Sequence, residues 1–145
     1  MSGIGPLKSL KGKTILIAGG AGYLGVPLCK LLVAEGANIC IGETNQEQLD
    51  QTIQSICANS PDARVIGLPL DVGNETSIVN YVTASVNYFG KLHGLVNATS
   101  GASGKEIQDL TSDDFDLANN LNLTGPFLMA REAAKYMNCL LYTSP

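Results

Sequence analysis

Two hydrophobic periods alternate along the chain. Residues 14–18 form a short apolar run rich in β-branched side chains and closed by glycines, which predicts a buried strand. Residues 23–35 place Leu24, Leu28, Leu31 and Leu32 at helical spacing, and Gly36 follows as a stop. Pro27 falls in the first turns of that helix, where a missing N–H costs little. The same alternation then repeats. A strand is predicted over 38–41, then a helix over 46–60 on Leu49, Ile53, Ile56 and Cys57, with Pro61 after it. A third strand is predicted over 64–70. The next helix, 74–89, sets Ile78, Tyr81, Val82, Ser85, Val86 and Phe89 on one face, with Asn74 as its cap and Gly90 as its end. A fourth strand spans 92–97. Thr111, with Asp114 three residues on, has the shape of a capping box and opens one long helix running to 137.

Strands alternating with helices of these lengths predict an α/β fold with parallel pairing and right-handed crossovers. The result is part of a three-layer, doubly wound parallel sheet. There is no internal linker, tandem repeat or low-complexity tract. The one long connection, 100–109, follows a strand's carboxyl end, where such folds place ligand-binding loops. With 145 residues and 45% hydrophobic content, the chain is one domain or part of one and is not disordered. No apolar run reaches the roughly 18 residues of a membrane span, and the first residues lack the apolar core of a secretory signal. The formal net charge of −4 argues against a nucleic-acid surface. Cys29, Cys40, Cys57 and Cys139 form no CxxC pair and have no metal-ligand spacing. A reducing, cytoplasmic setting and no metal site are expected.

Chemistry concentrates at strand ends. Gly19, Gly22 and Gly25 lie between the first strand and the first helix. A dinucleotide pyrophosphate needs backbone approach free of Cβ atoms, and N–H groups at a helix start to hold its charge. Glu43 comes directly after the second strand, 18 residues beyond Gly25, where an acidic side chain can hydrogen-bond the adenosine ribose. That carboxylate would repel a 2′-phosphate. No Lys or Arg lies in the glycine loop or within several residues after Glu43, which favours NAD over NADP. Asp71-Val72 follows the third strand, near the expected adenine position, and Asn97 ends the fourth. Alone, an Asp or Asn at such places is a turn former. Asn122, Gly125 and Pro126 interrupt the long helix, where Gly and Pro cost about 1 and 3 kcal/mol relative to Ala. A kink there would turn the Asn122 amide or a backbone carbonyl toward the cleft, or else the helix starts late. His93, the sole histidine, sits at the entry to a strand, away from the cleft, and reads as structural or solvated.

Taken in order, these five features resemble the short-chain dehydrogenase/reductase family, across about 11–137. The family's glycine motif, the acidic residue after the second strand, DV after the third, NNAG after the fourth and NxxG on the long helix look like Gly19 to Gly25, Glu43, Asp71-Val72, Asn97-Ala-Thr-Ser100 and Asn122 to Gly125. The resemblance implies a Rossmann fold and an oxidoreductase that interconverts an alcohol and a carbonyl with NAD, NADP being less favoured. It implies a cofactor site at Gly19, Gly22, Tyr23, Leu24, Gly25, Glu43, Asp71, Val72, Asn97, Ala98 and Thr99. Asn122 would be the member of the catalytic tetrad that holds a water in the proton relay. The long helix would pack on a second subunit of a homo-oligomer.

Three positions depart from the family pattern. Ala18 replaces the usual Thr, Tyr23 follows the middle glycine as in the extended sugar-nucleotide branch, and Ala98 replaces the second Asn. None of the five tyrosines has Lys four residues on, so the Tyr/Lys pair of the family is missing. The expectation is therefore an incomplete cofactor-binding domain over 1–138, truncated after about four strands and inactive by itself. Residues 139–145 would be a non-native tail that looks like a translated adapter end. Two alternatives stay open: an extended-type sugar-nucleotide epimerase or dehydratase, and a non-catalytic dinucleotide-sensing domain.

Overall fold

Residues 9–137 are described in the computed structural model. Four strands, β1 (Thr14–Ala18), β2 (Asn38–Glu43), β3 (Val65–Pro69) and β4 (Gly94–Asn97), alternate with helices α1 (Gly25–Ala34), α2 (Gln46–Asn59) and α3 (Glu75–Phe89). Two further helices, α4 (Ser112–Asn119) and α5 (Gly125–Met137), follow β4. All strand pairs are parallel, in the order β3-β2-β1-β4. The register sets Ala18 opposite both Gly42 and Asn97, and Glu43 opposite Pro69. The strand ends that carry the candidate residues therefore lie side by side.

Strand alternation divides the core into two layers. Ile15, Ile17, Ile39 and Ile41 face one way and pack with Cys29 and Val33 of α1 and with Leu49 and Ile56 of α2. Leu16, Ala18 and Cys40 face the other way, onto Ile78, Tyr81 and Val82 of α3 and Met129 and Ala133 of α5. Burial on both faces explains why these strands read as continuous apolar runs. Caps mark the helix ends. The Asn45 and Asn74 side chains accept from Gln48 N and Ser77 N, at 3.0 and 3.1 Å. Gly90 takes a left-handed φ of 81° to close α3. The capping box forms, with Asp114 N donating to Thr111 Oγ1 and Thr111 N donating to Asp114 Oδ2. The Lys105 ammonium and the Thr111 donors hold the Asp114 carboxyl down at about 2.

Several predicted bounds move. Helix α1 starts at Gly25 rather than 23, since Leu24 is its N-cap. Strand β2 runs on to Glu43 because Ala18 and Pro69 continue its ladders. Strand β4 starts at Gly94 rather than 92. The single long helix is corrected to α4, a π-helical turn over Asn120–Thr124, and α5. Pro126 has no N–H, so the Asn122 carbonyl loses its α-helical donor. Gly125 N–H instead reaches back five residues to the Asn120 carbonyl. A short 3-10 turn at Ile107–Asp109 had no signal in the pattern.

His93 is structural, as expected. Its Nδ1 accepts from Thr14 N at 3.0 Å, and burial together with Lys13 and Lys91 pushes its pKa down. Cys29 and Cys40 are buried free thiols. Among the described residues no helix is long and apolar enough to cross a membrane. The tail predicted over 139–145 lies outside the described residues.

Candidate cofactor site

A cleft of about 560 Å³ opens along the carboxyl ends of the strands. It lies where the chain's winding reverses, with β2 and β3 on one side of β1 and β4 on the other. The glycine loop forms its floor. Gly19 has φ 73°, and a Cβ there would meet the Ala98 carbonyl oxygen at 2.9 Å. Gly22 N–H donates to the Gly19 carbonyl at 3.1 Å. Gly25 starts α1 so close beneath the loop that a Cβ would meet Gly20 Cα at 2.6 Å. No side chain caps α1; Val26 N–H donates to the Gly22 carbonyl at 3.0 Å, and Pro27 has no N–H. Tyr23 and Leu24 stand at the mouth of the cleft, Tyr23 at 95% exposure.

Glu43 and Thr44 form one wall. Glu43 Oε1 accepts from Thr44 N at 2.9 Å and from Thr44 Oγ1 at 3.3 Å, which aims the carboxylate and leaves Oε2 without a donor among the described residues. Asp71 and Val72 form the next wall. Asp71 Oδ1 accepts from Gly73 N at 2.8 Å, a local turn that presents the loop to the cleft. Ala98, Thr99 and Ser100 supply the inner end. Asn97 stands behind them. Its Oδ1 accepts from Thr99 N and Thr99 Oγ1, at 3.3 and 2.7 Å, so it shapes the turn and does not line the cleft. Gly25 likewise lies behind the lining.

Asn122 does not point a free amide into the cleft. Its Oδ1 accepts from Gly101 N at 3.0 Å and its Nδ2 donates to Gly101 O at 2.6 Å. Both ends of the amide are spent holding the loop after β4. Asn120 Nδ2 donates to the Gly73 carbonyl at 3.2 Å, so the π turn grips the loops after β3 and β4 together. Between the two asparagines Leu121 reaches the cleft. Leu121, Gly42, Thr44, Leu70 and Ser100 line the site and were not singled out in the sequence. Each of the five borders a residue that was, which is the only signal the sequence holds for them.

The short chain dehydrogenase family profile matches residues 13–140. The chain belongs to the short-chain dehydrogenase family. It is 31% identical to levodione reductase of Leifsonia aquatica over 134 residues, which covers 91% of this chain and 50% of that protein. It is 30% identical to a chanoclavine-I dehydrogenase of Arthroderma otae, covering 96% of this chain and 55% of the relative. The crystal structure of levodione reductase superposes with a TM-score of 0.85, covering 90% of this chain and 51% of that one. An NAD+-bound xylitol dehydrogenase gives 0.83 at 28% identity, covering 93% and 52%. The chain thus spans about half the length of the relatives it matches. The parallel Rossmann-like sheet and the family stand as expected from the sequence.

Proposed function

We propose that this chain is the cofactor-binding part of an NAD-dependent short-chain oxidoreductase that interconverts an alcohol and a carbonyl on a small molecule. The observation that carries the choice of NAD is the Glu43 carboxylate, steadied by Thr44 on a cleft wall with no Lys or Arg among its described lining residues. A ribose diol donates to a carboxylate, whereas a 2′-phosphate beside it meets like charge with nothing to neutralise it. Gly19 borders the cleft, and its missing Cβ lets the Ala98–Thr99 turn close against the glycine loop.

In this reading Gly19 and Gly22 admit the pyrophosphate to the start of α1, and Gly25 lets that helix pack close beneath the loop. Tyr23 and Leu24 cover it, Asp71 and Val72 flank the adenine, and Asn97 shapes the turn through which Ala98 and Thr99 border the inner end. When bound, the nicotinamide supplies the hydride. Asn122 serves the proton relay through its backbone carbonyl, since Pro126 leaves that oxygen without its helical donor and the side chain is engaged with Gly101. The chain has no Tyr with Lys four residues on, so we expect it to bind cofactor without turnover. The relatives named above are dehydrogenases and reductases, which favours this reading over an epimerase or a sensor. We place the intact protein in the cytoplasm as a homo-oligomer. Exposed Phe115, Leu123 and Phe127 along α4 to α5 support a subunit contact there.

Calorimetric titration with the two cofactors tests the assignment. NAD+ should bind at least about tenfold more tightly than NADP+, a difference of about 1.4 kcal/mol. In Glu43→Ala that preference should shrink. Tighter binding of NADP+, or binding of neither, would overturn the proposal.

A further inference from the structure

One peptide of the glycine loop is held at both ends. Gly22 N–H donates to the Gly19 carbonyl at 3.1 Å, inside the loop. The carbonyl on the other side of the same peptide, that of Ala21, accepts from Gln48 Nε2 at 2.8 Å. Gln48 comes from a different element, the first turn of α2, and its own backbone is fixed twice. Its N–H donates to the Asn45 cap and its carbonyl accepts from Thr52 Oγ1 at 2.8 Å. The side chain therefore reaches the loop from a firm base.

Gly22 has no Cβ, so the peptide between Ala21 and Gly22 would rotate readily if either end were free. Rotation would break the Gly22 to Gly19 bond and swing the Ala21 carbonyl, a partial negative charge, toward the anion the loop is built to receive. Gln48 does not line the cleft. We infer that Gln48 is a positioning residue that locks the Ala21–Gly22 peptide in the orientation that accepts a pyrophosphate, and so ties the glycine loop to the segment carrying Glu43 and Thr44. The inference rests on the dinucleotide reading of the cleft.

Gln48→Met keeps the length of the stem and removes the donor, and Gln48→Glu is isosteric and also lacks it. The 145-residue protein and both variants are titrated with NAD+, with ADP-ribose and with adenosine, which has no pyrophosphate. Both variants should lose about three- to tenfold in affinity for NAD+ and ADP-ribose, the loss expected for one hydrogen bond. Adenosine affinity and melting temperature should hold. A general structural role would weaken all three ligands in parallel, and that result, or unchanged NAD+ and ADP-ribose binding, overturns the inference. Failure of the unsubstituted protein to bind either pyrophosphate ligand overturns the cofactor reading beneath it.

Discussion

Gly19 and Gly104 share a backbone conformation and nothing else. Their φ values are 73° and 72°, so a side chain at either meets the same left-handed penalty, about 1–2 kcal/mol. At Gly104 a Cβ would enter open space, whereas at Gly19 it would press on the Ala98 carbonyl and Thr99 N, 2.9 and 3.0 Å away. Gly19→Ala should therefore cost about 1–3 kcal/mol more than Gly104→Ala, the range for overpacking a close contact. Denaturant unfolding of the two variants measures the difference, and equal losses would show that the approach of β4 to the loop does not constrain Gly19. The spacing of Gly19, Gly22 and Gly25 was legible in the sequence, but their separate reasons were not. Gly19 serves backbone sign and contact together and Gly25 serves contact alone, while a Cβ on Gly22 would meet only the Gly19 carbonyl, at 3.2 Å. Spacing records that a side chain is missing, not what would have occupied its place.

The π turn between α4 and α5 shows the same limit at the scale of an element. Gly125 and Pro126 announce a disturbed helix, and Pro126 identifies the carbonyl left without a donor. What the disturbance achieves depends on two loops far away in sequence. Asn120 reaches Gly73, Asn122 reaches Gly101, and a Cβ on Gly125 would meet the Val72 carbonyl. Long-range partners of this kind leave no periodic trace, which is why Asn120 and Gly101 went unread while α3, with its regular face and its Asn74 cap, was placed nearly to the residue. Asn122→Ala should release Gly101 from both bonds, at a cost of about 1–3 kcal/mol. The Gly101 amide should then exchange with solvent much faster, while amides of β1 keep their protection. Hydrogen exchange followed residue by residue checks this, and a Gly101 amide that stays protected would mean the loop after β4 is held by something other than Asn122.

At the scale of the whole molecule, the sheet formed by the described residues is covered above and below but open at its sides. Among the described residues, strand β4 pairs with β1 alone, its four residues are all half-buried, and its far edge offers N–H and C=O groups with no strand partner. Helices α4 and α5 in turn expose Phe115 at 64% and Phe127 at 60%. A parallel sheet buried on both faces is a good core, yet an open strand edge and exposed aromatic rings each favour association. The 145-residue protein should therefore self-associate as concentration rises, or melt over a broad range. Light scattering across a dilution series reads the first and a thermal scan the second. Replacing Phe115 and Phe127 together by Gln should reduce association by removing its apolar part. NAD+ affinity should be unchanged, because neither ring lines the cleft. If the double variant associates as strongly as the parent, the strand edge alone drives assembly. A parent that stays monomeric and melts cooperatively would show that four strands and these five helices already close a stable unit.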